Sequence, residues 1–168
     1  MEKQTVVHST FVIERHYPAA PERVFAALAD PAKKRRWYAD VRGLGVEQFE
    51  MDFRVGGGER TRYQVTEGPV KGSTITNETT YLDIVANRRV VIAYSMQLGE
   101  HRISASLATF ELLPDGDGTG LVFTEQGAYF EGADGPQMRE EGWRNLLDHF
   151  AKEVARASGP AGHAQSTN

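Results

Sequence analysis

From Ser73 to Ala128 the chain passes through four segments in which β-branched and aromatic residues recur, Ser73 to Val85, Arg89 to Leu98, Arg102 to Leu113 and Gly120 to Ala128, and only a turn separates each from the next. The turns are Asn87-Arg88, Gly99-Glu100 and Asp115-Gly116-Asp117-Gly118. Strands that follow one another with hardly any helix between them form a meander and not βαβ units. The spacing therefore predicts an antiparallel sheet, and every other element must be fitted to it.

The flanking segments supply those elements. Val7, Ser9, Phe11, Ile13, Arg15 and Tyr17 alternate with Val6, His8, Thr10, Val12, Glu14 and His16, a first strand that Pro18 ends. Ala19 to Asp30 carries Val24, Phe25, Leu28 and Ala29 at helical spacing, with Pro21 in the first turn. Asp30-Pro31 breaks this helix and starts a second short one that reaches Trp37. After a Gly43-Leu44-Gly45 turn, Phe49, Met51 and Phe53 alternate with polar residues, and Gly56-Gly57-Gly58 returns the chain into Glu59 to Val65 as a hairpin. The last element is a helix over Pro136 to Ala157, whose Trp143, Leu146, Leu147, Phe150 and Val154 form one apolar stripe. Residues 158–168 lack periodicity and bulk, which predicts a frayed, disordered tail.

A chain of 168 residues, 40% of them hydrophobic, is long enough for one well-buried core and short for two. One domain is expected over residues 1–157. The formal net charge of -4 leaves no general basic field for nucleic acid or an acidic membrane, and Lys33-Lys34-Arg35-Arg36 is read as a solvated helix face. The absence of cysteine excludes disulfides, thiolate catalysis and sulfur-ligated metals, and suits a reducing compartment. The opening residues lead into an alternating segment instead of an apolar run, so neither a signal peptide nor a membrane span is read, and a soluble cytoplasmic protein is expected.

The order strand, two helices, six strands and a long terminal helix carries motifs at characteristic places: Ala20-Pro21-Glu22-Arg23-Val24-Phe25, Asp30-Pro31 with Trp37-Tyr38, Arg54-Val55-Gly56-Gly57, Tyr81-Leu82-Asp83-Ile84-Val85, Gly118-Thr119-Gly120-Leu121, and Glu141-Gly142-Trp143. Together they resemble the SRPBCC superfamily, the START-like helix-grip proteins typified by the birch pollen allergen. Within it they are similar to the branch named after the C-terminal domain of the heat-shock-protein-90 ATPase activator. The resemblance covers residues 8 to 156. Two departures are mild: the common double tryptophan is Trp37-Tyr38 here, and the usual Arg-Pro-Gly-Gly is Arg54-Val55-Gly56-Gly57. It implies an α+β helix-grip fold, a curved antiparallel sheet of about seven strands wrapped round the terminal helix with two short helices between the first two strands, and a cavity between sheet and helix.

A sheet curved round one helix leaves interior volume unless large side chains fill it, and concave, mostly apolar volumes are where small molecules bind. Trp37, Tyr38, Tyr63, Trp143, Leu146 and Phe150 are apolar candidates for its lining, although most such residues serve as ordinary core. Phe49, Met51 and Phe53 share one face of a hairpin strand at the expected rim. Gly142 projects no side chain beside Trp143, which either leaves space for a ligand or permits close packing of helix on sheet. Arg139 lies one turn before Trp143 on the inward side; a structural salt bridge is its commoner role, orienting an anionic ligand the rarer one. Arg62, Glu78 and His101 are further polar candidates on strands of open facing. Arg15 shares parity with Phe11, Ile13 and Tyr17 and is expected to pair with a carboxylate such as Glu125.

Catalytic signatures are missing from the pattern. His8, His16, His101, His149 and His163 show no metal-binding spacing, so no metal and no cofactor are expected. Asp148 and His149 are adjacent on a helix and point about 100° apart. The glycine clusters match neither a phosphate loop nor a dinucleotide fingerprint, and no nucleophile elbow exists. Three functions follow: first a binding protein for an apolar or aromatic metabolite, then a cyclase, dehydratase or hydrolase working in the same cavity, and third a co-chaperone-like module that activates an ATPase. The third comes from the branch name, and in the named activator a separate N-terminal domain precedes this one. A small apolar ligand is the expected partner, in a monomer or homodimer.

Overall fold

The computed structural model describes residues 5–42 and 45–156, so the turn at 43–44 and the tail expected over 158–168 lie outside the described residues. Strand β1 (Val7–Tyr17) is followed by helix α1 (Pro21–Ala29), helix α2 (Pro31–Lys34), a π-helical turn over Arg35–Ala39 and a 3-10 turn over Asp40–Arg42. The chain then forms β2 (Gly45–Met51), β3 (Gly58–Gln64), β4 (Thr74–Val85), β5 (Arg89–Leu98), β6 (His101–Asp115), β7 (Gly118–Tyr129) and helix α3 (Pro136–Arg156). The seven strands make one antiparallel sheet in the order β1-β7-β6-β5-β4-β3-β2. Only β1 lies out of chain order, pairing with β7 so that Val7 faces Tyr129 and Tyr17 faces Thr119. This is the α+β helix-grip architecture that the resemblance implies, built on the antiparallel sheet that the meander predicts.

Local chemistry explains the joints. Asp30 caps α2, its carboxylate accepting the Lys33 N–H at 3.1 Å. Beyond Lys34 the expected α-helix widens into a π turn, in which the consecutive residues Trp37, Tyr38 and Ala39 are all buried. A regular helix would spread three successive side chains about 100° apart round its circumference; the wider π turn narrows that spread somewhat, and the Trp37 indole N–H donates to the Ala27 carbonyl at 2.8 Å. At the β2–β3 turn Gly56 has φ 84°. A side chain on Gly57 would collide with the Asp52 carbonyl, and one on Gly58 would meet the Thr79 carbonyl at 2.5 Å. That close approach lets Gly56 N–H donate to the Tyr81 carbonyl at 2.9 Å and Tyr81 N–H to the Gly57 carbonyl at 3.0 Å, which fastens the turn to β4.

The core lies between α3 and the concave face. Trp143 sits 4.4 Å from the Phe123 ring and 5.9 Å from Phe110, while Phe150 sits 5.0 Å from Trp37 and 5.3 Å from Tyr17. Each such side chain taken out of water contributes about 1.5–3 kcal/mol, so α3 is the second layer without which the sheet face would stand in solvent. The concave face changes character along its length. Val90 and Ile92 on β5, Phe110 and Leu112 on β6 and Leu121 and Phe123 on β7 make one end apolar. Toward the other end the same faces present Tyr94, Ser104, Ser106, Glu125 and Gly127, and the small residues of β6 and β7 lower the floor there.

Candidate functional site

The low end of the floor opens into a groove of about 590 Å³ along the flank of α3. Its apolar walls come from Tyr38 in the π turn and Val41 in the 3-10 turn after it, Met96 on β5, and Met138, Trp143 and Leu146 on α3. Asn77, Tyr94, Asp134 and Arg139 line it on the sheet side and at the start of α3, and Asn145, Asp148, His149 and Lys152 continue along the helix. Its size falls within the range of sites that enclose small ligands, roughly 300–1,000 Å³. Gly142 also lines it, and a Cβ built there meets nothing within 4 Å. Of the two roles open to this glycine, close packing on the sheet is thereby excluded: it leaves space.

A buried polar network closes one end of the groove. Glu125 has no exposed surface; it faces Phe11 across β1 and Ala108 across β6. Three donors converge on its carboxylate: the Tyr94 hydroxyl, the Trp143 indole N–H at 3.0 Å and the Tyr129 hydroxyl at 3.1 Å. Tyr129 reaches back because its ring lies over Gly127, where any Cβ would meet the phenol oxygen at 2.7 Å. Arg139 completes the network, donating from Nη1 to the Tyr94 oxygen at 3.1 Å and from Nη2 to Ser104 Oγ at 2.9 Å. Asp134 holds the other side of its guanidinium through Nε and Nη2, both at 2.9 Å.

Burial is the leading electrostatic cause here. It raises the Glu125 pKa, against the hydrogen bond from Tyr94 and the charge of Arg139. It also pushes the Tyr94 phenol far above its ordinary value, with the neighbouring Glu125 carboxylate adding to the shift. At Arg139 burial acts to lower the pKa, but the Tyr94 oxygen and the Asp134 carboxylate outweigh it and the net shift is upward. Tyr94 thus remains a neutral phenol that donates inward, and Arg139 remains a cation that is already paired.

The structure divides the residues anticipated from sequence. Tyr38, Arg139, Gly142, Trp143 and Leu146 meet in the groove, Tyr38 accepting a hydrogen bond from Asn77 at 3.0 Å. Trp37, Tyr63 and Phe150 are fully buried in packing and do not line it. Phe49, Met51 and Phe53 are partly buried against the core and away from the groove; Phe53 lies just past the end of β2 and packs edge-on against Phe25 and Tyr81. The polar candidates are surface groups instead of pocket groups. Arg62 pairs with Glu47 at 3.0 Å, Glu78 with its cross-strand neighbour Arg60 at 3.2 Å, and His101 Nε2 lies 2.8 Å from the Glu131 carbonyl oxygen. Arg15 lies 3.6 Å from Asp148 and not beside Glu125, because Glu125 is walled in by Tyr94, Tyr129 and Trp143.

Sequence reasoning passed over Tyr94, Ser104, Tyr129 and Asp134, and misplaced Glu125. A signal existed for Glu125, which shares the inward parity of Leu121 and Phe123 on β7, as Tyr94 does with Val90 and Ile92 on β5. An acid at an inward position demands buried donors, and a tyrosine on the same face is a natural one.

A family model described as "Activator of Hsp90 ATPase homolog 1-like protein" matches residues 18–155, and the chain belongs to that family. Comparison with curated proteins gives no match. Among solved structures, the Mll3558 protein from Rhizobium loti is 49% identical, with a TM-score of 0.80 over 89% of this chain and 99% of that one. An uncharacterized protein from Rhizobium leguminosarum is 38% identical, with a TM-score of 0.82 over 90% of this chain and 97% of that one. An AHSA1-like protein from Aeromonas hydrophila, 21% identical with a TM-score of 0.65 over 92% and 98% of the two chains, shares the fold.

Proposed function

We propose that this member of the Activator of Hsp90 ATPase homolog 1-like family is a small-molecule binding protein that takes an apolar or aromatic ligand into the groove between α3 and the sheet. The observation that carries the reading is the groove itself: about 590 Å³, walled by Tyr38, Met96, Trp143 and Leu146, with open space where Gly142 has no side chain. A module acting through its outer surface is less well supported. The exposed large apolar residues among those described are distributed over β1, the two connections flanking β3, β4, β6 and α3.

An environment-sensitive apolar dye is expected to bind the folded protein at one saturable site, and Gly142→Leu is expected to abolish that binding. The same substitution should leave the melting temperature unchanged or raise it, since leucine is favoured over glycine in a helix by about 0.5–1 kcal/mol and its Cβ meets nothing within 4 Å at this position. A parent protein that binds no apolar probe, or a variant that loses its fold, would overturn the reading.

Catalysis in the same groove is a second reading, favoured by the convergence of Tyr94, Glu125 and Arg139 at its end. It ranks behind binding on chemical grounds. Glu125 lies behind Tyr94 and Trp143 and outside the groove lining, and a phenol committed to a buried carboxylate is a weak proton donor toward a ligand. Tyr94→Phe separates the two: loss of turnover on a bound compound supports catalysis, and a change in affinity alone supports binding.

A further inference from the structure

We infer that the groove selects neutral ligands whose polar end is a single hydrogen-bond acceptor, such as a ketone oxygen, and discriminates against carboxylates. This rests on the groove being a ligand site and specifies what it takes. An arginine at the end of an apolar groove is ordinarily read as a carboxylate receptor, because the guanidinium edge matches both oxygens of the anion. Here that edge is already filled. Asp134 accepts from Nε and Nη2 of Arg139 in the paired, two-bond geometry, both at 2.9 Å, and is supplied by the segment leading into α3.

The remaining donors of Arg139 are nearly used up. A guanidinium carries five N–H groups in all. Two go to Asp134, one from Nη2 to Ser104 and one from Nη1 to Tyr94, so a single Nη1 hydrogen has no hydrogen-bond acceptor among the described residues, while the guanidinium also lies 5.2 Å from the Tyr129 ring. Tyr94 adds no donor toward the groove, since its hydroxyl proton is committed to Glu125. One free hydrogen suits one acceptor oxygen. Arg139 has no second donor for the other oxygen of a carboxylate, and the anion would enter beside Asp134, which already balances Arg139, with Glu125 just behind Tyr94. Both terms oppose the anion.

The other stretch of the groove does not reverse this preference. Lys152 lines it but is exposed, so a carboxylate there keeps its water and gains little from the pair. Asp148 lines the same stretch, and its carboxylate lies 3.6 Å from Arg15. The middle of the groove, with Tyr38, Met96, Trp143 and Leu146, receives an aromatic or apolar body irrespective of the head it carries.

The test uses the bound apolar dye and two competitors of one shape and opposite charge: acetylnaphthalene, a neutral methyl ketone, and naphthoate, ionised at neutral pH. Acetylnaphthalene is expected to displace the dye with an affinity at least about tenfold above that of naphthoate, a difference of about 1.4 kcal/mol. Asp134→Asn removes the occupying carboxylate and is expected to raise the affinity for naphthoate relative to the ketone by about tenfold or more. Naphthoate binding as tightly as the ketone, displacement by neither compound, or a folded Asp134→Asn protein with an unchanged ratio overturns the inference. Should that variant fail to fold, the wild-type ratio alone decides. Failure of the dye itself to bind counts against the ligand site, and is read before either competitor is added.

Discussion

Glu125 on one side and the Lys34–Glu59 pair on the other show buried charge handled in two different ways. Glu125 accepts from three neutral or shared donors, and burial still holds its pKa above the ordinary carboxylate value. For an acid whose folded pKa is raised, the stabilisation is fully present below the unfolded pKa of about 4.3 and is lost as pH rises through the folded value. Wild type should therefore be at its most stable relative to Glu125→Gln in mildly acidic solution, and the difference in melting temperature should shift against wild type as pH rises from about 4 toward neutrality. A difference that is flat across that window would sink the assignment. Lys34, expected on a solvated helix face, is instead buried: it and Glu59 neutralise each other at 3.4 Å, with the ammonium also 4.9 Å above the Trp37 ring and 4.7 Å above Tyr38. Removing one partner leaves a stranded charge, so Lys34→Met or Glu59→Gln alone should cost about 3–5 kcal/mol, while Lys34→Met combined with Glu59→Leu should recover most of it. Chemical denaturation of the three variants measures this, and equal losses in single and double variants would refute it.

The helix α3 serves two purposes at once. Its Trp143, Leu147, Phe150 and Val154 seal the core, while Met138, Gly142, Asn145 and His149 run along the groove. Two helical stripes offset by one position thus face the core and the groove, with Trp143 and Leu146 shared between them. Ending the chain before Trp143 removes several buried side chains worth about 2–5 kcal/mol each, more than the 5–15 kcal/mol that holds a typical domain together. Such a chain should show no cooperative thermal transition; a cooperative melt near the parent temperature would contradict the placement of α3 in the core. The strands and this helix were legible because their apolar periods are long and regular. The π turn over Arg35–Ala39 was not, since nothing local distinguishes an α-helical Trp37-Tyr38-Ala39 from one widened to bury all three against α3 and the sheet.

For the molecule as a whole, the sheet and α3 hold the core without covalent help. The sequence contains no cysteine, and among the described residues no three His, Asp or Glu side chains come together in a way that could hold a metal ion. No helix among those residues is long and apolar enough to cross a membrane. Chelator and reducing agent should accordingly leave the melting temperature and dye binding where they are, and a shift of several degrees with chelator would reveal a metal site outside this account.

The alternation of Val7 to Tyr17 and of the four strands from Ser73 onward, the Asp30-Pro31 joint and the Trp143 to Val154 stripe are local patterns. Each states which face of its own element is apolar, and an apolar face has to be buried. An antiparallel sheet and a terminal helix with one face to bury follow from them. Gly142 and Arg139 stood out for the same reason, one breaking and one decorating a helical stripe. Partnership is a different kind of fact. That Arg139 is held by Asp134, that Glu125 faces Tyr94 instead of Arg15, and that Phe49 and Met51 miss the groove depend on strand register and on the depth at which α3 docks. Those quantities come from residues far apart in the chain meeting in space, so a one-dimensional pattern carries no trace of them until the sheet has closed.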